Sequence, residues 1–123
     1  MKVIYDTQLS GGEFDVNFTG GHSLRMIRAT DGLGFSVNKT MIPKGGPHLW
    51  HYKNHQEVCY CVEGKGIATD LETGATYTID PHSLYALPNH ERMTFEALTD
   101  VVLISIFNPP LNGHETHDEN GSY

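Results

Sequence analysis

The sequence predicts an all-β domain, a sandwich or barrel, on three observations. Short β-rich runs recur along the chain, turn-forming Gly, Pro, Asn or Asp residues separate them at close spacing, and helical periodicity is scarce. At 123 residues the chain fits one domain, 1–123, and leaves no room for two. A domain of this size buries a core without disulfide or metal staples.

The elements follow in order. An N-terminal segment, 1–20, precedes the first run at 23–28. A second run, 33–42, is bounded by Asp31-Gly32 before it and by Pro43-Lys44-Gly45-Gly46-Pro47 after it. The third, 57–62, ends at Glu63-Gly64-Lys65-Gly66. Runs 67–70 and 75–79 flank Glu72-Thr73-Gly74 and predict a hairpin. Runs 84–87, 93–97 and 101–107 complete the set. The Pro-, Gly- and Asp-rich segment 108–123 is by composition a tail.

Two runs are informative face by face, because alternate residues of a strand share a side. Glu57, Cys59 and Cys61 lie on one face, and Val58, Tyr60 and Val62 on the other. Run 101–107 is largely apolar on both faces, which predicts burial on both sides or a partner subunit on one. Cysteines two apart on a strand have Cα atoms about 6.5–7 Å apart, at the limit for a disulfide. Reduced thiols in a reducing compartment are the expectation, a thiolate metal site the alternative.

Charge narrows the partners. Asp and Glu number 15 against 8 Lys and Arg, a formal net charge of -7. No basic footprint is present for nucleic acid or for an anionic membrane surface. No apolar run approaches the roughly 20 residues of a spanning helix, and the first residues do not form a signal peptide. The expected location is the cytoplasm.

The densest cluster of chemistry-bearing residues is His48-Leu49-Trp50-His51-Tyr52-Lys53-Asn54-His55-Gln56-Glu57. Imidazole and carboxylate suit zinc or iron. His48 and His51 are equally compatible with surface or packing roles. Glu57 opens an apolar strand, and a carboxylate facing a barrel interior is costly unless paired or metal-bound.

This stretch resembles the first motif of the cupins, with Gly45, His51, Lys53, Glu57 and Gly64 in the comparable places. The resemblance implies a double-stranded β-helix, or jelly-roll, barrel. Lys53 stands where the pattern has a second histidine. A looser second motif covers Asp80-Pro81-His82-Ser83-Leu84-Tyr85 and His90.

Narrower stretches resemble the ectoine synthase family. These are His51-Tyr52-Lys53-Asn54-His55 with Glu57, Asp31-Gly32-Leu33-Gly34-Phe35-Ser36, and Phe107-Asn108-Pro109-Pro110-Leu111-Asn112-Gly113 continuing to Glu115, His117-Asp118-Glu119-Asn120-Gly121 and Tyr123. The resemblance runs from about Gly20 onward. It implies a cytoplasmic hydro-lyase that closes N-γ-acetyl-2,4-diaminobutyrate, an amino-acid-derived small molecule, to the cyclic amidine ectoine with loss of water. It also turns 108–123 from a tail into a lid over the barrel mouth. An Fe(2+), with Zn(2+) as the alternative, is implied on Glu57 and Tyr85. Tyr52, Glu115 and His117 are the implied catalytic residues. Thr40, Asn38, His55, Ser105 and Phe107 are the implied substrate contacts. The family forms homodimers through barrel faces.

Several pocket positions depart from the family. Met93 stands where the third metal ligand is expected, which leaves His90, or else His55, as candidate for that place. Gly21 replaces a tryptophan, Asn38 a basic residue and Ser105 a cysteine. Other readings therefore stay open: a related cupin cyclising or dehydrating a different amide, or a non-catalytic cupin that binds a small metabolite.

Overall fold

The structure is a computed structural model that describes residues 1–123. Ten strands form two antiparallel sheets. In chain order they are β1 (Asp15–Phe18), β2 (Gly21–Ile27), β3 (Ser36–Ile42), β4 (Gly45–Trp50), β5 (Gln56–Glu63), β6 (Gly66–Asp70), β7 (Thr76–Ile79), β8 (Leu84–Leu87), β9 (Met93–Ala97) and β10 (Val101–Asn108). One sheet has the order β1-β2-β3-β10-β5-β8 and the other β4-β9-β6-β7. A single helical turn, α1 (Asp6–Leu9), packs on β2.

Two elements depart from the expectations. The N-terminal segment 1–20, to which no strand or helix was assigned, supplies α1 and β1. Residues 45–47, read within 43–47 as turn, instead open strand β4, paired with β9 through Gly45↔Ala97 and His48↔Phe95. A register shift between Gly45 and His48 absorbs the irregular residues, so the ladder continues past them.

Alternation along the strands decides what lies between the sheets. On β5, Glu57, Cys59 and Cys61 are buried, while Tyr60 and Val62 are exposed. The polar face of this strand is therefore the inner one. On β10, Val101, Leu103, Ser105 and Phe107 point inward, and the opposite face, including Ile106, is open. The second sheet contributes Trp50, Met93, Phe95, Ala97, Ala68 and Ile79 to the core.

The segment after β10 does not trail away. Leu111 is fully buried, its N–H donates to Ser36 Oγ at 2.9 Å, and its carbonyl accepts from Ala29 N at 2.8 Å. Further on, His51 N donates to Gly121 O at 2.9 Å. Gly121 has φ +74°, and a Cβ there would run into the Leu49 carbonyl, so glycine alone allows this close approach. The chain thus crosses the inner side of β2 and the β4–β5 connection as a strap.

Candidate active site

Register places the site. Arg25 pairs with Asn38, Asn38 with Ser105, Ser105 with Cys59, and Cys59 with Tyr85. These five inward residues make one row across β2, β3, β10, β5 and β8. A guanidinium stands at one end and a thiol beside a phenol at the other. With strands about 4.8 Å apart, Arg25 and Cys59 are about 14 Å apart along the sheet. Glu57 flanks the row on β5, and Thr40 flanks it on β3, where Thr40 Oγ1 meets Ser105 Oγ at 2.9 Å.

Glu57 is 4 % exposed, and its Oε1 has no hydrogen-bond partner. Burial pushes its carboxyl up to about 8, although the neighbouring Cys59 thiol opposes the shift. The Tyr85 hydroxyl is also buried without a partner, and burial raises it well above the ordinary phenol range. Cys59 is raised well above its usual value by the same burial, with the Glu57 charge adding to it. Two unpartnered acidic oxygens beside a thiol form a set that a cation would satisfy. No three His, Cys, Asp or Glu side chains come together in a metal-holding arrangement. The donors that converge here include a tyrosine.

The strap supplies the opposite wall. Tyr52 OH and His117 Nε2 are 2.9 Å apart. Tyr52, raised well above the ordinary phenol range by burial, keeps its proton, and Nε2 is the acceptor available to it. When Tyr52 donates to Nε2, the ring proton sits on Nδ1. That Nδ1 is itself buried and unpartnered. Burial, with Arg25 adding to it, lowers His117 to about 4, so the ring is neutral at physiological pH. Tyr123 stacks on Tyr52 at 5.2 Å between centroids and receives the Arg25 guanidinium over its ring at 5.3 Å.

Several expected site residues are placed differently. His90 is exposed, at φ +58°, and its Nδ1 lies 2.9 Å from Tyr52 O and 3.1 Å from His55 O. That nitrogen braces the β4–β5 connection, which corrects the expectation that it turns inward toward Glu57 and Tyr85. Glu115 is held by backbone donors. Its Oε2 accepts from Asn112 N at 2.7 Å and its Oε1 from Gly113 N at 2.8 Å. Burial opposes ionisation, but these N–H donors and Arg25 outweigh it and hold the carboxyl below its usual range. An ionised carboxylate with both oxygens engaged positions the strap and has no proton to give, which leaves it the role of base and not of acid.

The other expected residues are inward. Asn38 is 1 % exposed with Oδ1 unpartnered, Phe107 is buried against Tyr52 and Tyr123, and His55 sits edge-on to Phe107 with Nδ1 unpartnered. Met93 is buried at 2 % in the facing sheet. His48 stacks on Trp50 and rests against Gly20, a packing role. A Cβ at Gly21 would meet the Met41 carbonyl oxygen, so no tryptophan fits there without moving β2 off β3.

Arg25 was not singled out in the sequence. It is fully buried, its Nε donates to Ser23 Oγ at 2.8 Å and its Nη2 to Glu115 O at 2.7 Å, while Nη1 has no hydrogen-bond partner and lies 4.0 Å from Glu115 Oε1. The available signal was an arginine inside the otherwise apolar Leu24-Arg25-Met26-Ile27 run.

His117 gives a pH prediction. Its folded value near 4 lies below its ordinary 6.5, so the unfolded chain binds the extra proton between those values. Stability from this group is full above about 6.5 and is lost as pH falls toward about 4, at most about 3 kcal/mol. Thermal melts at pH 7 and pH 4.5 are expected to differ less for His117→Gln than for the wild type. An equal difference would show that this ring is solvated.

Two antiparallel sheets folded face to face around inward carboxylate, phenol and imidazole groups form a cupin-type barrel. The fold agrees with that of a Schizosaccharomyces pombe Cnp3 cupin domain, at 12% identity and TM-score 0.61 over 72% of this chain and 64% of that one. The ectoine synthase family model matches residues 1–123, and the chain belongs to that family. It is 45% identical over 123 residues to an L-ectoine synthase of Desulfosudis oleivorans, covering 98% of this chain and 95% of the relative. A crystal structure of ectoine synthase from P. lautus superposes at TM-score 0.87 and 38% identity, covering 92% of this chain and 81% of the other.

Proposed function

We propose that this protein is an ectoine synthase, closing N-γ-acetyl-2,4-diaminobutyrate to ectoine with loss of water. Whole-length family membership supports the reaction class. The observation that carries it is the row with Arg25 at one end and Cys59 and Tyr85, flanked by Glu57, at the other. It suits a substrate with a carboxylate at one end and an amide at the other.

The chemistry follows from that placement. The free amine forms a bond to the acetamide carbon, the C–O bond breaks, and both amine protons leave with the oxygen as water. Arg25 Nη1 is the donor for the substrate carboxylate. His117 Nδ1–H donates to the amide oxygen as negative charge develops there, and a neutral imidazole performs this as an electrophile. Tyr52 holds the ring in that tautomer. Phe107, Tyr123 and the 108–123 strap exclude water, so 108–123 serves as the lid of the single domain.

Glu57 and Tyr85 fit a metal, and a bound Fe(2+) or Zn(2+) would supply Lewis-acid polarisation of the amide oxygen. Iron is the favoured ion on the family resemblance. The thioether of Met93 adds little for either ion. A homodimer is part of the reading, because Tyr60, Val62, Leu84 and Ile106 leave the outer face of β5, β8 and β10 apolar. Two free, buried cysteines suit the cytoplasm.

The test is direct. Iron-loaded protein incubated with N-γ-acetyl-2,4-diaminobutyrate is expected to release ectoine, detected by chromatography. Metal-loaded protein that binds this compound without converting it would favour a related amide as the true substrate.

A further inference from the structure

We infer that Cys59 is the third protein ligand of the metal centre, completing a carboxylate–thiolate–phenol set with Glu57 and Tyr85. The inference rests on the metal-dependent reading above and names a ligand that the motif positions do not supply.

Three structural facts carry it. Glu57 and Cys59 are two apart on β5 and share its inner face, and Cys59 faces Tyr85 across the β5–β8 ladder. Two donors from one strand and one from its neighbour converge from a single side. Next, Glu57 Oε1 and Tyr85 OH are buried without hydrogen-bond partners, and the thiol beside them is 1 % exposed. A cation placed among the three would give both orphaned oxygens a partner and replace the acidic protons. Finally, the sulfur is supported from behind. Ser105 Oγ lies 3.3 Å from Cys59 Sγ, and Thr40 Oγ1 lies 2.9 Å from Ser105 Oγ. With a thiolate at 59, Thr40 donates to Ser105 and Ser105 donates to sulfur. Ligands are commonly oriented by such a hydrogen bond from a second layer.

The alternatives are weaker. Met93 offers a thioether, a poor donor to Fe(II) or Zn(II). His90 is exposed and held by two carbonyls. Cys61 lies farther along β5, with its thiol directed at the Glu63 and Gly64 carbonyls. On binding, the metal–oxygen and metal–sulfur bonds form as O–H and S–H bonds break, and the protons pass to solvent. No change of oxidation state is involved.

The experiment uses cobalt(II), a spectroscopic stand-in for either ion, titrated into chelator-stripped full-length protein. The expected result is a sulfur-to-cobalt charge-transfer band that is absent from Cys59→Ser and Cys59→Val but persists in Cys61→Ser and Met93→Leu. Cobalt affinity in Cys59→Ser is expected to fall by more than about 100-fold, beyond the upper end of the loss for an outer-layer partner. Circular dichroism of both Cys59 variants separates a lost ligand from a lost fold. Cobalt bound without the band, a band that survives in Cys59→Ser, or no cobalt bound at all would each overturn the inference. Ectoine release is read separately. A protein that forms ectoine and lacks the band retains the reaction and loses this ligand. One that shows the band and forms no ectoine retains the ligand and loses the reaction.

Discussion

Glu57→Ala is expected to lower ectoine formation by three decades or more while leaving the barrel folded. A thousandfold is about 4 kcal/mol of transition-state stabilisation, within what a Lewis acid and its carboxylate ligand supply. The substitution removes a buried carboxylate whose Oε1 has no partner, so the metal-free variant should melt no lower than the metal-free wild type. That pairing of lost turnover with retained stability distinguishes a functional carboxylate from a structural one. The measurements are initial rate at saturating substrate and a thermal melt of chelator-treated protein. Unchanged turnover would remove Glu57 from the site.

Arg25→Met is the second change with a large expected effect. Methionine approximates the length of the side chain and removes its charge. Arg25 is fully buried, and Nη1 is the donor left over after Ser23 and Glu115 are bonded. Loss of one partner from a buried charge pair costs about 2–5 kcal/mol, so KM should rise by about 100-fold or more while kcat changes less. Because Nη2 also donates to Glu115 O at 2.7 Å, the strap should become more sensitive to limited proteolysis. An unchanged KM with a loosened strap would make Arg25 a purely structural anchor.

The legible part of the fold was the part with strict alternation. On β5 the period of two separated Glu57, Cys59 and Cys61 from Val58, Tyr60 and Val62, and the structure buries the first set. β4 was not legible, because Gly45, Gly46 and Pro47 carry turn chemistry, and only pairing with β9 makes them a strand. β1 and α1 are short and weakly patterned, and contact with β2 rather than local preference sets them. Within the site, Glu57 and Tyr85 were reachable through motif positions. Arg25 was not, since its meaning comes from Asn38 and Glu115, distant in sequence. His90 misled for a related reason. Its place in the second motif suggested an inward donor, and a left-handed backbone turns the ring to the Tyr52 and His55 carbonyls instead.

The strap has a further consequence for how the molecule comes into being. Arg25 and Glu115, 90 positions apart, and Arg25 and Tyr123, 98 apart, meet across nearly the whole chain. Such pairings are slow to close, because the loop entropy is lost before any contact is gained. A growing polypeptide on the ribosome therefore holds no assembled reaction chamber, and dehydrating chemistry becomes available only once the strap through Tyr123 has closed on Arg25.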